Sequence, residues 1–228
     1  MTRGWLIVFA KAPRPGLVKT RMSPPLSLDQ SAELYAAMLA DVLNASAEHA
    51  ARLDLLPVLA FHPPEAVGGL IGRVPPGFRL QPQHGDDLGE RMANAFAEAA
   101  ASGAERILLR GSDSPSLEGS VLEEAMDRLD AGDDVVLTPD QGGGYVLIGM
   151  RGPHPELFDV GMSTRDMLEE TTRVARSLGL RCSLTPPALD LDTIADLRSL
   201  LMLDPARRSD LYPLTVESIS SLGLDIVL

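Results

Sequence analysis

Short apolar runs alternate with longer amphipathic stretches along the chain. Apolar runs rich in β-forming residues predict buried strands, and apolar residues spaced three and four apart predict helices. The predicted strands span residues 5–10, 55–61, 77–81, 106–109, 135–138, 145–148 and 181–184. The predicted helices span residues 28–51, 88–102, 120–130, 163–178 and 193–202.

This alternation predicts an α/β fold with a mostly parallel sheet and helices on both faces. A chain of 228 residues is long enough for one such domain. We expect the domain to span residues 1–204, with residues 205–228 as a C-terminal appendage packed on it. Ligands of open parallel sheets bind outside the carboxyl ends of the strands. The loops that leave the strands are therefore the first places to look for chemistry.

Composition narrows the classes of function. A net charge of −12 argues against general binding to nucleic acid or to a membrane surface. The apolar runs are far shorter than the about 20 residues that a membrane-spanning helix needs. Cys182 is the only cysteine, which excludes an internal disulfide and favours a cytoplasmic protein. An anionic substrate would need a local basic site on this acidic chain.

The loop after the first strand supplies such a site in the sequence KAPRPGLVKTR. Both lysines of the chain, Lys11 and Lys19, lie in this loop, and Arg21 follows them. Lysine offers phosphate a compact charge, arginine offers a planar fork, and a loop bent by Gly16 can also present backbone N–H groups. We expect phosphate binding here, and the alternative is a solvated basic loop. The loop lacks the GxxxxGK[ST] motif of an ordinary P-loop.

The sequence LLRGSDSPSL places Asp113 after a central strand, in a turn of small residues. A carboxylate in this position suits a hard divalent cation that is shared with phosphates. The alternative is a turn in which the Asp113 side chain bonds its own backbone. Asp113 is therefore a candidate metal ligand.

The sequence ALDLDTIADL is a second acidic segment. Asp190 and Asp192 alternate with leucines, so both could lie on one side of an extended segment. Thr193 and Asp196 fit a capping box that opens a helix, but a capping box does not require the two preceding aspartates. We expect a role for Asp192 in binding a ligand or a metal.

Two glycine-containing segments carry weaker signals. Three consecutive glycines, at 142–144, lie between two apolar strands and imply a sharp turn or the close approach of a ligand; a plain hairpin is the alternative. The sequence HGDDLGERMANAF places Arg91 in the first turn of a helix, where a cation is mildly disfavoured. This position suggests contact with an anion, and pairing with a neighbouring acidic residue is the alternative.

The four histidines show no spacing typical of a metal site or of a catalytic triad. We interpret them as structural residues.

Six motifs follow one another in an order that resembles one bacterial family. They are FAKAPRPGLVKTRM, DLGERMANAF, GSDSPSL, GGGYVLIGM, PHPELF and LDLDTIADL. The family consists of predicted transferases with the nucleotide-diphospho-sugar transferase (GT-A) fold, known as glycosyltransferase A-like proteins. The resemblance covers residues 4–202, and it extends more distantly to molybdenum cofactor and phospholactate guanylyltransferases. The chain departs from the pattern at Ile194 and Ala195, where relatives usually have Pro-Glu.

The resemblance implies a GT-A, Rossmann-like fold and a nucleotide site. In the wider group the first loop holds the nucleotide phosphates, and the carboxylate after the central strand holds Mg²⁺ or Mn²⁺. The resemblance thus assigns Asp113 to the metal and Asp192 to the metal or the ribose. With the loops considered above, the candidate phosphate or nucleotide contacts are Ala10, Lys11, Gly16, Lys19, Arg21, Arg91, Gly111, Ser112, Gly143 and Gly144, the metal ligands are Asp113 and Asp192, and the catalytic residues are Asp113 and Lys19.

Three functional hypotheses remain open. The first is metal-dependent glycosyl transfer from a nucleotide-sugar to an unknown small acceptor. The second is nucleotidyl transfer from a nucleoside triphosphate to a small phosphorylated substrate. The third is nucleotide binding without turnover. All three expect a nucleotide and a divalent cation as ligands, and none expects nucleic acid or a membrane as a partner.

Overall fold

The computed structural model describes residues 4–162, 164–203 and 210–224. These residues contain one sheet of seven strands. The strands are β1 (Gly4–Lys11), β2 (Leu55–His62), β3 (Arg79–Pro82), β4 (Arg106–Gly111), β5 (Val135–Pro139), β6 (Tyr145–Met150) and β7 (Cys182–Leu184).

The helices lie between the strands and after the last of them. They are α1 (Leu28–Arg52), α2 (Val67–Leu70), α3 (Leu88–Ala101), α4 (Gly119–Asp130), α5 (Met167–Ser177), α6 (Ile194–Leu201) and α7 (Pro213–Ser221). Short 3₁₀ turns occur at Thr20–Met22, Pro64–Ala66, Ile71–Arg73 and Pro155–Phe158.

The strands are ordered β3-β2-β1-β4-β6-β5-β7 across the sheet. β6 runs antiparallel to both of its neighbours, and the other pairs of adjacent strands are parallel. The predicted α/β class with a mostly parallel sheet is therefore confirmed. The antiparallel strand follows from the short connection between β5 and β6, since a parallel crossover needs a dozen or more residues.

Side chains on β1 alternate between two cores, as strand geometry requires. Trp5, Ile7 and Phe9 pack against α3, whereas Val8 packs against α1. Every residue from Gly4 to Ala10 is buried, which explains why this strand reads as a continuous apolar run. The sheet is therefore covered on both faces, and its ligand-binding edge is set by where the strands end.

The C-terminal helix α7 packs on α1. The Asp41 carboxylate of α1 accepts hydrogen bonds from the backbone N–H groups of Leu214 (3.2 Å) and Thr215 (2.7 Å), so it caps the first turn of α7. Burial raises the pKa of Asp41, and these hydrogen bonds oppose the shift. Residues of α7 thus contact α1, while the expected boundary at residue 204 lies outside the described residues.

One predicted helix begins later than its sequence pattern suggests. The pattern predicts a helix over residues 163–178, and α5 begins at Met167; residue 163 lies outside the described residues. Thr164 donates its hydroxyl hydrogen bond to the carbonyl of Gly161 at 2.7 Å. Such a local bond offers the backbone an alternative to helix, so the first turn forms after it. The pattern also did not predict α2 or α7.

Candidate functional site

A cavity of about 1100 Å³ opens at the edge of the sheet where the parallel strands end. Its wall includes the last residues of β1, β2 and β4, namely Lys11, His62 and Gly111. The loops after these strands, the β5–β6 hairpin, the segments before α5 and α6, and residues of α1 and α3 also line it. This is the edge at which ligands of open α/β sheets bind, so the cavity lies where the strand pattern placed the chemistry.

Most of the sequence-predicted site residues lie in the wall of this cavity. They are Ala10, Lys11, Lys19, Arg21, Arg91, Gly111, Ser112, Asp113, Gly144 and Asp192. Gly16 and Gly143 are outside its lining.

Gly143 has a structural reason to be glycine. It adopts a left-handed conformation with φ 91°, and a Cβ atom there would overlap the carbonyl oxygen of Arg165. The Asp140 carboxylate accepts hydrogen bonds from the N–H groups of Gly142 (2.6 Å) and Gly144 (2.8 Å). The three glycines thus form a β5–β6 hairpin against the segment before α5, and only Gly142 and Gly144 reach the cavity.

Lys19 is the most enclosed cation of the cavity. Its ammonium lies 2.5 Å from Asp113 Oδ1 and 3.3 Å from Asp192 Oδ1, and it donates to the carbonyl of Leu191 at 2.5 Å. Its side chain is only 3% exposed. Burial alone would lower the pKa of Lys19, but Asp113 and Asp192 outweigh burial and raise it. Lys19 therefore stays charged and ties the first loop to both acidic segments.

The backbone of Lys19 is held in a conformation that is uncommon for a residue with a side chain. Its φ of 47° and ψ of 35° lie in the left-handed region. Such a conformation costs roughly 1–2 kcal/mol outside glycine. The contacts of the ammonium offset this cost, so the loop geometry and the position of the charge depend on each other.

Two further charged residues extend this cluster. Arg21 Nη1 donates to Asp192 Oδ2 at 3.1 Å, and Asp190 Oδ1 accepts a hydrogen bond from Ser114 Oγ at 3.1 Å. Burial raises the pKa of Asp190 to about 7, Asp113 adds to this shift and Lys19 opposes it. We call Lys19, Arg21, Asp113, Asp190 and Asp192 the aspartate end of the cavity. Its carboxylates outnumber its cations.

A buried arginine supports the loop that carries Asp113. Arg110 on β4 is fully buried, and its Nη2 donates to the carbonyl of Ser114 at 2.6 Å. Burial lowers the pKa of Arg110 to about 10, so it remains charged at neutral pH. Arg110 lies inside an apolar strand and outside the loop, so the loop sequence gives no sign of this role. In the sequence, Arg110 is a charged residue that directly follows the apolar run Ile107 to Leu109. The structure buries it together with that run.

Tyr35 lies under the cavity and connects the ends of β1 and β4. Its hydroxyl is 2.8 Å from Ser112 Oγ, 3.1 Å from the backbone N of Lys11 and 3.2 Å from the Lys11 carbonyl oxygen. Burial raises the pKa of Tyr35, so the phenol keeps its proton. Tyr35 belongs to the middle of α1, and helical periodicity alone gives it no sign of this role.

The part of the cavity toward β2 and α3, on the other side of β1 from β4, carries a different set of charges. Lys11 and His62 are register partners at the ends of β1 and β2, and Arg91 comes from the first turns of α3. Burial lowers the pKa of His62, and the charges of Arg91 and Lys11 lower it further. We call Lys11, His62 and Arg91 the cationic end. The spacing of the histidines predicts a structural role for His62, whereas the structure places it in the cavity wall.

The aspartate end offers oxygen donors that suit a hard divalent cation. In the described part of the chain, no group of three or more His, Cys, Asp or Glu residues surrounds one point as a metal site would. Two carboxylates, Asp113 and Asp192, nevertheless flank a single cation, the ammonium of Lys19. These two donors fit a Mg²⁺ or Mn²⁺ ion whose remaining oxygen ligands come from phosphates and water.

Comparison with known proteins places the chain in a family. A family model described as "Uncharacterized protein conserved in bacteria (DUF2064)" matches residues 44–164, which is more than half of the chain. The chain belongs to this family. No curated protein matched the sequence.

Solved structures support the same placement. A protein from Desulfovibrio desulfuricans, provisionally described as a nucleotide-diphospho-sugar transferase, is 30% identical over 96% of both chains, with a TM-score of 0.85. This similarity confirms the resemblance that the motifs indicate and the fold that it implies. Among the described residues, no helix is long and apolar enough to cross a membrane.

More distant structures share the fold alone. A cytidylyltransferase from Leptospira borgpetersenii is 12% identical over 98% of this chain and 96% of its own, with a TM-score of 0.55. A CMP-2-keto-3-deoxy-manno-octonic acid synthetase complexed with CTP is 10% identical over 87% of this chain and 96% of its own, also with a TM-score of 0.55.

Proposed function

We propose that this DUF2064 protein is a metal-dependent transferase that uses a nucleotide-sugar as donor. One observation carries the proposal: Lys19 and Arg21 meet the carboxylates of Asp113 and Asp192 inside a cavity at the carboxyl edge of the sheet. The provisional description of the Desulfovibrio protein, at 30% identity, supports it. The fold shared with nucleotide-using enzymes is consistent with it.

The chemistry of such a transfer requires charge stabilisation more than covalent participation by the protein. Breaking the bond between the sugar and a nucleoside diphosphate leaves negative charge on the diphosphate. Asp113 and Asp192 would hold Mg²⁺ or Mn²⁺, which supplies positive charge to that diphosphate when it is bound. Lys19 and Arg21 add protein charge beside the same carboxylates.

Positioning is the other contribution of the chain. Arg110 holds the Ser114 carbonyl, and Tyr35 holds Ser112, so the residues on either side of Asp113 are fixed from below. Fixed donors and charges cost no reorganisation when the reaction occurs. Gly111 and Ser112 are small, which leaves the floor of the cavity open to a phosphate.

Nucleotidyl transfer is the second candidate, and the cationic end favours it. Transfer from a nucleoside triphosphate to a small phosphorylated substrate brings more phosphate charge into the site than glycosyl transfer does. Lys11 and Arg91 would meet that additional charge. This reaction releases pyrophosphate, whereas glycosyl transfer releases a nucleoside diphosphate.

A thermal-shift panel tests the proposal. The protein is melted with each nucleoside triphosphate and each of several nucleotide-sugars, with and without Mg²⁺ or Mn²⁺. We expect at least one nucleotide to raise the melting temperature only when metal is present. Analysis of the products then separates the candidates, because diphosphate release indicates glycosyl transfer and pyrophosphate release indicates nucleotidyl transfer. Binding without either product would leave a nucleotide-binding module, and no shift with any nucleotide would refute the proposal.

A further inference from the structure

The cationic end is built by three different parts of the fold. Lys11 and His62 are paired in register on adjacent parallel strands, so their side chains leave the same face of the sheet. That face is the one that packs on α3, since Phe9 and Ala60, two positions earlier on each strand, contact residues of α3 in one core. Arg91 lies on α3 and lines the same cavity. The three side chains therefore converge between the sheet edge and α3.

The floor beneath these residues is fixed. The Gln83 side-chain amide donates to the carbonyl of Ala60 at 2.8 Å and to that of Ala10 at 3.4 Å. Ala60 lies two positions before His62 on β2, and Ala10 lies one position before Lys11 on β1. The amide thus locks together the strand ends that present the two side chains.

Polar atoms at this end are buried without partners. Both Arg91 Nε and His62 Nδ1 are buried and lack a hydrogen-bond partner among the described residues. Buried polar groups are bonded in nearly all native structures, so each such atom calls for an explanation. Two of them at one end of one cavity are explained together by a ligand with oxygen acceptors.

The charges at this end are also uncompensated. Within the described parts of the chain, no carboxylate forms an ion pair with Lys11 or Arg91, whereas Lys19 and Arg21 are both paired. The acidic residues nearest in sequence to Arg91 have other bonds: Asp87 caps α3, and Glu90 accepts from the N–H of Asp86. Glu65 is the acidic residue whose charge acts on His62. Although the net charge of the chain is −12, no described carboxylate forms an ion pair with either of these two cations.

We propose that Lys11, His62 and Arg91 form a subsite for an anionic group, a phosphate or a carboxylate, that is separate from the aspartate end. Lys11 offers a compact ammonium, Arg91 offers a planar fork, and a neutral His62 offers one N–H or one acceptor nitrogen. The subsite itself does not depend on the proposed transferase reaction. Only the source of the anion does, because it is either a phosphate of the nucleotide or an acidic group of the second substrate.

Pyrophosphate is the probe for the test. It is titrated calorimetrically into the parent protein and into Arg91→Met, His62→Gln, Lys19→Met and Arg128→Met. Arg128 is the matched control, since it is paired with Glu124 on α4, away from the cavity. Arg91→Met should lower the affinity for pyrophosphate about tenfold to a hundredfold, which is the loss expected for one charge-assisted contact. His62→Gln should lower the affinity by a smaller factor, and Arg128→Met should leave the affinity unchanged.

Each contrary outcome of this titration overturns the subsite. One is a parent protein that binds no pyrophosphate, and another is a loss confined to Lys19→Met, which would move the anion to the aspartate end. If Arg91→Met fails to fold, the His62→Gln protein decides, and unchanged affinity there overturns the proposal. Thermal melts of all variants identify a folding failure.

Competition identifies the source of the anion. The pyrophosphate titration of the parent is repeated with saturating ADP, GDP, CDP or UDP. Lost pyrophosphate binding, together with weaker diphosphate binding by Arg91→Met, supports a subsite for the nucleotide's phosphate. Retained pyrophosphate binding supports a subsite for an acidic second substrate. If no nucleotide binds but pyrophosphate still does, the proposed function fails while the anion subsite stands.

Discussion

The two ends of the cavity contain similar cations in opposite electrostatic situations. At the aspartate end, Lys19 is enclosed and its ammonium is used fully by oxygens of the protein. At the cationic end, Lys11 is exposed and no described carboxylate pairs with it. The first arrangement organises the protein, and the second leaves charge for a ligand. Lys11 and Lys19 are residues of the same type, and they have different electrostatic surroundings within one stretch of the chain.

Removing Asp113 should have the largest effect on this contrast. Asp113→Asn should abolish metal-dependent nucleotide binding, a loss on the order of a hundredfold, because a neutral amide is a poor ligand for Mg²⁺ and a poor partner for Lys19. The fold should stay intact, but the melting temperature should fall, because the enclosed Lys19 ammonium loses one of its carboxylate partners. Calorimetric titration of nucleotide with and without Mg²⁺ measures the effect, and Asp127→Asn on the exposed side of α4 is the control. Equal metal-dependent affinity in Asp113→Asn and parent would contradict the assignment.

Removing Lys19 comes next. Lys19→Ala should weaken binding of a nucleoside di- or triphosphate about tenfold to a hundredfold, because Asp113 and Asp192 lose the positive charge that offsets their repulsion of phosphate. Binding of the matching nucleoside should hardly change. Lys19→Arg should recover only part of the loss, because a planar fork does not replace a point charge. Titration of both ligands into all three proteins checks this. If Lys19→Ala binds the phosphorylated ligand as well as the parent does, Lys19 serves only to tie the loops together.

Gly143 lies outside the cavity lining, so its substitution should affect stability and not binding at either end. Gly143→Val should lower the stability by about 1–3 kcal/mol, because the new side chain overlaps the Arg165 carbonyl in a left-handed backbone conformation. For a domain of this size that is a fall of several degrees in melting temperature, at about 2–4 °C per kcal/mol. Nucleotide affinity of the folded fraction should stay unchanged. A larger effect on affinity than on stability would show that the glycine turn contacts a ligand.

Asp190 gives an effect on stability that depends on pH. Its pKa is about 7 in the folded protein, whereas an aspartate of an unfolded chain titrates near 4. Between these values the folded state binds more protons than the unfolded state, so Asp190 makes the protein less stable as the pH rises. Asp190→Asn should therefore raise the melting temperature by a few degrees at pH 8. The gain should shrink as the pH falls from 7 and vanish near pH 4, and a gain that does not vary with pH would contradict this cause.

The sequence predicted the architecture better than it predicted contacts. The strand pattern located β1, β2, β4 and β5 because buried strands leave continuous apolar runs. It placed Lys19 and Asp113 at the same edge, but their ion pair joins residues from loops far apart in the chain. No local pattern encodes such a pair. The start of α5 was missed because a side-chain bond of Thr164 competes with the helix.

His62 and Arg110 show two further limits. The spacing of His62 from the other histidines matches no metal motif and gives no sign of a functional role. Its position at the end of a strand is the feature that indicates a place in the cavity wall. Arg110 lies in the buried interior, where the fold brings the Ser114 carbonyl and the Ser46 hydroxyl within hydrogen-bond distance of its guanidinium. Both residues depend on tertiary neighbours that periodicity does not report.

Tyr35 has a consequence for substrate choice. Its hydroxyl holds the backbone of Lys11 and the side chain of Ser112, and β1 pairs directly with β4 up to Phe9 and Gly111. The strand ends that carry the two ends of the cavity are thus held at one separation by adjacent backbones and by a phenol beneath them. A rigid separation selects by length: a ligand must place its own charged groups at that interval, and one that is an atom too short or too long loses one of the two contacts. Chain-length preference among homologous substrates would then come from the sheet rather than from a moving loop.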